Sequence, residues 1–101
     1  MIRKVLIIGS KGFLGRHVIK LLANKYEVVG CDLPEFDLKV AGQVDEFISS
    51  TGADAIVHLA SMTGAKLSML KHSEFIDVNV KGTVNVLESC RKMGIKRFIF
   101  M

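Results

Sequence analysis

Three glycines at three-residue spacing, in Gly9-Ser10-Lys11-Gly12-Phe13-Leu14-Gly15, and a carboxylate further on, Asp32, have the types and spacing to do chemistry. A glycine leaving a strand permits a tight turn. A second, lacking a Cβ, lets a diphosphate come against the backbone, and a third lets the following helix pack close to the sheet. The amides of Phe13 and Leu14 would then face the pyrophosphate, helped by the positive end of the helix dipole. Asp32 follows Gly9 at the distance where a carboxylate ending the next strand accepts hydrogen bonds from both ribose hydroxyls of an adenosine. Its charge repels the 2′-phosphate of NADP, whereas Lys11 would attract that phosphate, and the balance predicts NAD in preference to NADP.

Other constellations carry less. Ser68-Met69-Leu70-Lys71 has the Ser-x-x-Lys spacing of acyl-transfer enzymes without their partner motifs. His58 ends an apolar run and reads as a packed or hydrogen-bonded side chain, while His17 and His72 have no partners at metal spacing, so no metal is assigned. Cys31 and Cys90 form no Cys-x-x-Cys pair, which suggests reduced thiols in a cytosolic protein.

The elements that must position these residues alternate along the chain. Val5 to Ile8 is a short apolar run ended by Gly9, the signature of a strand buried on both faces. Leu14, Val18, Leu21 and Leu22 mark a helix over 12–24, and Glu27 to Cys31 a second strand within 26–31 that leads into Asp32. Val40, Val44, Phe47, Ile48 and Thr51 recur at helical spacing over 40–51, with Gly52 placed as a left-handed cap. A third strand is expected over 54–59, and Ile76, Val80, Val84, Leu87 and Cys90 mark a long helix over 73–92, capped by Ser73 and ended by Gly94. With 3–8 as the first strand and 95–101 as the fourth, the pattern is β-α-β-α-β-α-β. It predicts an α/β Rossmann-type parallel sheet, strand order 3-2-1-4, with helices on both faces and ligand chemistry at the carboxyl ends of the strands.

Length and composition agree with a single folded domain over 1–101. Half of the 101 residues are apolar and 24% are charged, so neither a disordered tail nor a second domain is expected. The net charge of +4 comes from scattered pairs such as Arg3-Lys4, Arg91-Lys92 and Lys96-Arg97, which argues against a nucleic-acid surface. No apolar run approaches the length of a signal core or a membrane span.

Taken together, Gly9-x-x-Gly12-x-x-Gly15, Asp32, Asp37-Leu38, Val57-His58-Leu59-Ala60-Ser61, Asn79-Val80-Lys81-Gly82-Thr83-Val84-Asn85 and Lys96-Arg97-Phe98-Ile99-Phe100 resemble the extended short-chain dehydrogenase/reductases, the NAD-dependent epimerase/dehydratase family. The resemblance covers the whole chain in order. It implies that Asp37 and Leu38 line the adenine pocket, that Leu59, Ala60 and Ser61 run past the pyrophosphate and nicotinamide ribose, and that Asn79 ties its helix to a neighbouring strand end. It also implies a nucleotide-sugar substrate in a full-length context. The family's Ser after the fourth strand and its Tyr-x-x-x-Lys are absent from these residues, since the one tyrosine, Tyr26, has Gly30 four positions on. The expectation is therefore a dinucleotide-binding N-terminal portion of an epimerase, dehydratase or reductase, inactive alone. The alternative is a free-standing dinucleotide-binding or regulatory module. Phe98 to Met101 would leave an open apolar sheet edge, a template for a homo-oligomer.

Overall fold

The structure, a computed structural model, describes residues 1–32, 37–60 and 69–101. Its elements are β1 (Lys4–Ile8), α1 (Phe13–Leu22), β2 (Glu27–Cys31), α2 (Ala41–Thr51), β3 (Ala55–His58), α3 (His72–Ile76), a π-helical turn at Asp77–Lys81, α4 (Gly82–Met93) and β4 (Arg97–Phe100). All strand pairings are parallel.

Leu6 and Ile8 of β1 point to one face, into a cluster with Val44 and Ile48 of α2, Ile56 of β3, and Val86 and Cys90 of α4. Val5 and Ile7 point to the other, where Val18, Ile19 and Leu22 of α1 cover them together with Val57. Helices therefore lie on both faces, and this explains why β1 is apolar at successive positions rather than alternate ones. Leu6, Ile7, Ile8 and Ile56 are fully buried, each worth about 1.5–3 kcal/mol of transfer free energy.

The strand order is β2-β1-β3-β4, not the expected 3-2-1-4. The third strand lies on the opposite side of β1 from β2. Burial gives the reason. Every residue of β3 is buried, as an interior strand requires, whereas β2 opens with an exposed Glu27 and is only partly covered until Cys31. An outer position for Ala-Ile-Val-His would have left that run open to water.

Two helices present different faces from those their periodicity suggests. In α1, Gly15 turns inward, carrying Val18, Ile19 and Leu22 onto the sheet, while Leu14 and Leu21 face water. The long helix begins at His72, with Lys71 as its N-cap and no side-chain cap bond, so Ser73 does not cap it. Its buried positions are Val78, Gly82, Val86, Ser89 and Cys90, and the marker stripe Ile76, Val80, Val84 and Leu87 is turned outward. Residues four apart drift about 40° around an ideal α-helix, and the wider π turn takes up part of that drift, keeping Val78, Gly82 and Val86 on one line. Gly52 and Gly94 end α2 and α4 in the left-handed region, as their positions predict.

Side chains lock the layers. Arg3 and Lys4 donate backbone N–H bonds to Asp54 Oδ2 (3.0 and 2.9 Å), clamping the start of β1 to β3. Those bonds, Lys4's first, hold the Asp54 carboxyl below its usual range. Asn85 Nδ2 donates to the Leu38 carbonyl (2.8 Å), and Asp45 of α2 accepts from Ser89 and from Lys92 of α4.

Candidate functional site

The reversal of strand order creates the site. From β1 the chain passes to α1 on one face, and from β3 it continues toward helices on the other, so the carboxyl ends of β1 and β3 flank a crevice. One rim is the loop from Gly9 to Gly15; the other begins at Leu59 and Ala60. They are in contact. Leu59 N–H donates to the Ile8 carbonyl (2.8 Å), and a Cβ on Gly9 would lie 2.7 Å from the Ala60 nitrogen. Gly9 also sits at φ +96°, a conformation that L residues rarely adopt.

Gly9 and Gly15 take the steric roles that their spacing predicts, and Gly12 leaves space. A Cβ on Gly15 would fall 2.1 Å from the Gly9 carbonyl oxygen, so this is where the helix meets the loop. A Cβ on Gly12 would meet only that oxygen, at 3.5 Å, with open space beyond. Gly12 is the N-cap of α1, no side chain caps the helix, and no acid lies in its first turn. The amides of Phe13 and Leu14 are thus left for water or an anion. The residues present fit a diphosphate at this helix start.

Asp32 is brought to the loop by β2. The Cys31 carbonyl accepts N–H bonds from both Gly9 (2.8 Å) and Ser10 (3.0 Å), which ties the loop to the residue preceding Asp32. Gly30 takes part as well: a Cβ there would lie 2.8 Å from Ser10 Cβ. Sequence reasoning passed over Gly30 and Ser10, although a glycine inside a strand signals a close approach. Lys11 is exposed at the loop tip, and its carbonyl accepts from Arg16 Nε (3.1 Å), a second cation beside the loop that spacing did not reveal. Phe13 is 84% exposed and meets His17 edge-on at 4.9 Å.

The remaining expected site residues are distributed differently. Asp37 holds its own turn, its Oδ1 accepting from Lys39 N–H (2.9 Å). Leu38 is only 1% exposed and packs into the α2–α4 cluster, so its side chain serves the core. Ala60 is buried and Leu59 half-buried at the crevice rim, while Ser61 lies outside the described residues. Asn79 is half-buried in the π turn, and its carbonyl accepts from Thr83 Oγ1 (2.8 Å).

That last bond defines His58. Thr83 commits its only proton to Asn79, so its oxygen can only accept from His58 Nε2, 3.4 Å away. The unprotonated Nδ1 is then buried with no partner among the described residues, and the ring stacks on Phe98 and Phe100. Burial pushes the imidazole pKa down from 6.5 to about 4. The unfolded chain therefore binds the extra proton first. The stabilisation is complete above pH 6.5 and lost as pH falls from there through 4, and amounts to about 2–3 kcal/mol. Urea titrations at pH 7 and pH 4.5 should show this loss in the native chain and a smaller one in His58→Phe; equal losses would refute it.

An open cavity of about 770 Å³ lies at the other end of the sheet, lined by Met1, Tyr26, Asp54, Lys96 and Arg97 among others. The carboxyl-terminal ends of α1 and α4 point there, so the dipole field disfavours an anion. Among the described residues, no three His, Cys, Asp or Glu side chains gather as a metal site, and no helix is long and apolar enough to cross a membrane. Cys31 and Cys90 are buried, and neither forms a disulfide among the described residues.

The model of the NAD dependent epimerase/dehydratase family matches residues 5–101. A UDP-glucose 4-epimerase of Klebsiella pneumoniae is 29% identical over 96% of this chain and 86% of its own length. UDP-glucose 4-epimerase 4 of Oryza sativa subsp. japonica is 30% identical over 97% of this chain but only 34% of its own. The crystal structure of Thermus thermophilus UDP-glucose 4-epimerase in complex with NAD superposes with a TM-score of 0.87 at 26% identity, covering 94% of this chain and 36% of that one. The chain thus spans about a third of the length of these last two relatives.

Proposed function

Because the chain belongs to the NAD-dependent epimerase/dehydratase family, we propose that it is the dinucleotide-binding portion of a nucleotide-sugar epimerase, dehydratase or reductase, that it prefers NAD, and that these residues alone bind without turnover. The observation that carries the reading is the junction of three features at one crevice: the uncapped helix start behind Gly12, the contact of Gly9 with Ala60, and Asp32 tethered to the loop through Cys31.

In this reading the amides of Phe13 and Leu14 hold the diphosphate, Asp32 holds the adenosine ribose, and Leu59 and Ala60 border the path toward the nicotinamide. A nicotinamide dinucleotide, when bound, supplies hydride transfer to and from a sugar carbon. Proton transfer needs a group that the described residues do not supply at the crevice. Tyr26 lies at the amino ends of the strands, beside Asp54 and Arg97, and no lysine follows it at four residues.

Calorimetric titration of NAD, NADH and NADPH into the 101-residue chain tests this. Binding of NAD and NADH, weaker binding of NADPH, and no interconversion of UDP-glucose and UDP-galactose are expected. No heat with any dinucleotide up to millimolar concentration would overturn the binding reading, and measurable epimerisation would overturn the inactivity.

A further inference from the structure

Along the sequence the net charge of +4 reads as scattered pairs, yet in the fold it gathers on one element. Between Ser10 and Tyr26 stand Lys11, Arg16, Lys20 and Lys25 and no Asp or Glu, while the rest of the chain carries ten Lys or Arg and ten Asp or Glu. That segment is α1 with the loop before it and the turn after it. Elsewhere cations meet acids: Lys4 holds Glu27 (3.2 Å), Arg91 holds Glu88 and Lys92 holds Asp45. The four cations of the α1 segment are exposed, and none pairs with a carboxylate among the described residues.

The same surface holds large apolar side chains in water. Phe13 is 84% exposed, Leu21 75% and Leu14 42%. Helical spacing sorts them. Arg16 and Lys20, four apart, line one flank; Leu14 and Leu21, seven apart, line the other; Phe13 and His17 run between, their rings edge-on at 4.9 Å. Val18, Ile19 and Leu22 point the opposite way, onto the sheet. The helix is thus apolar on its inner side and both basic and apolar on its outer side, a pattern that the fold does not need. Dinucleotide binding does not account for it either, since Lys20, Leu21 and Lys25 lie beyond the first turn of α1, away from the Gly9 crevice.

We propose that α1 lays this outer face on an anionic phospholipid surface. Phe13 and Leu21 enter the boundary between headgroups and acyl chains, and Arg16, Lys20 and Lys25 reach the lipid phosphates along their alkyl stems. The contact is with the surface alone, because no helix among the described residues is long and apolar enough to cross a membrane. A nucleic acid fits this face less well: Leu14 and Leu21 offer bases no ring to stack on, and Phe13 is a single platform. An acidic peptide also fits less well. The open depression on this face is lined by Phe13, Arg16, His17, Ile19 and Lys20, all from α1 itself, so it has no second wall to grip a chain. A fluid headgroup layer needs neither ring partners nor a second wall.

Vesicles of equal parts phosphatidylglycerol and phosphatidylcholine should carry the 101-residue chain down on centrifugation, less so as salt is raised, and phosphatidylcholine vesicles should not. Lys20→Glu with Lys25→Glu should weaken this binding by about tenfold or more. Lys39→Glu with Lys81→Glu removes the same charge from the side of the sheet that α2 and α4 cover, and should leave binding within about threefold of the native chain. Leu21→Ser should weaken it by about fivefold. The chain contains no tryptophan, so Leu21→Trp introduces a sole indole, whose emission should shift to the blue when phosphatidylglycerol vesicles are added. Val40→Trp, exposed before α2, should show no shift. All these positions are exposed, so circular dichroism of every variant should match the native chain. No sedimentation with phosphatidylglycerol vesicles would overturn the proposal. So would equal losses in the two charge-reversed pairs, an unshifted Leu21→Trp emission, or binding to single-stranded poly(U) that is tighter than to vesicles and is lost in Lys20→Glu with Lys25→Glu.

Discussion

Gly15→Ala is expected to cost the chain both stability and its ligand. The added methyl would sit 2.1 Å from the Gly9 carbonyl oxygen, a backbone atom that cannot swing aside. Either α1 lifts from the sheet, uncovering Val5 and Ile7, or the Gly9 turn opens and loses its bonds to Cys31. Overpacking of this kind costs about 3 kcal/mol, which in a domain of this size lowers the melting temperature by roughly 10–20 °C. Gly12→Ala is the companion measurement. Its methyl would make only an ordinary contact at 3.5 Å, so the melting temperature should barely move. That methyl would nevertheless occupy the approach of the diphosphate, and NAD affinity should drop by about tenfold or more. Thermal melts and NAD titrations of both variants separate the packing glycine from the binding glycine. A Gly15→Ala chain that melts like the native one, or a Gly12→Ala chain with native affinity, would refute the assignment.

Asp32→Ala should have the largest effect on ligand choice. Two hydrogen bonds from ribose hydroxyls to a carboxylate are charge-assisted, and losing such an interaction costs about 1.5–3 kcal/mol, or about 10–100-fold in NAD affinity. The same substitution removes the charge that repels a 2′-phosphate, so NADPH should bind better relative to NADH, with Lys11 and Arg16 the nearest cations of the loop. Stability should change little, because Asp32 is only half-buried at the end of an outer strand. Competition binding of NADH against NADPH in the native and variant chains reads this directly. An unchanged ratio would mean that Asp32 does not face the ribose.

The local grammar of the chain was legible because it depends on neighbouring residues. The glycine spacing, the strand that precedes it and the amphipathic helix that follows are consequences of backbone sterics and side-chain periodicity over a few turns. The same holds for Gly52 and Gly94, whose positive φ ends two helices. The parallel α/β architecture follows from strands alternating with helices, since parallel neighbours need a crossover.

Which strand lies beside which was a different matter, because it is decided by competition for burial across the whole chain. β3 took the place next to β1 since all of its side chains needed cover and those of β2 did not. Leu38 turned its side chain into the core because α2 and α4 left a gap that it fills beside Gly82, a contact over forty positions away in sequence. His58 lost its proton affinity to burial beneath Phe98 and Phe100, and Thr83 set its tautomer through a bond that no spacing announces. The amino-acid sequence by itself determined the elements, their order along the chain and the glycine-rich turn, which arise from short-range geometry. Only the tertiary structure decided the sheet order, the orientation of the long helix and the environment of each candidate side chain, because these depend on which surfaces exclude water from one another.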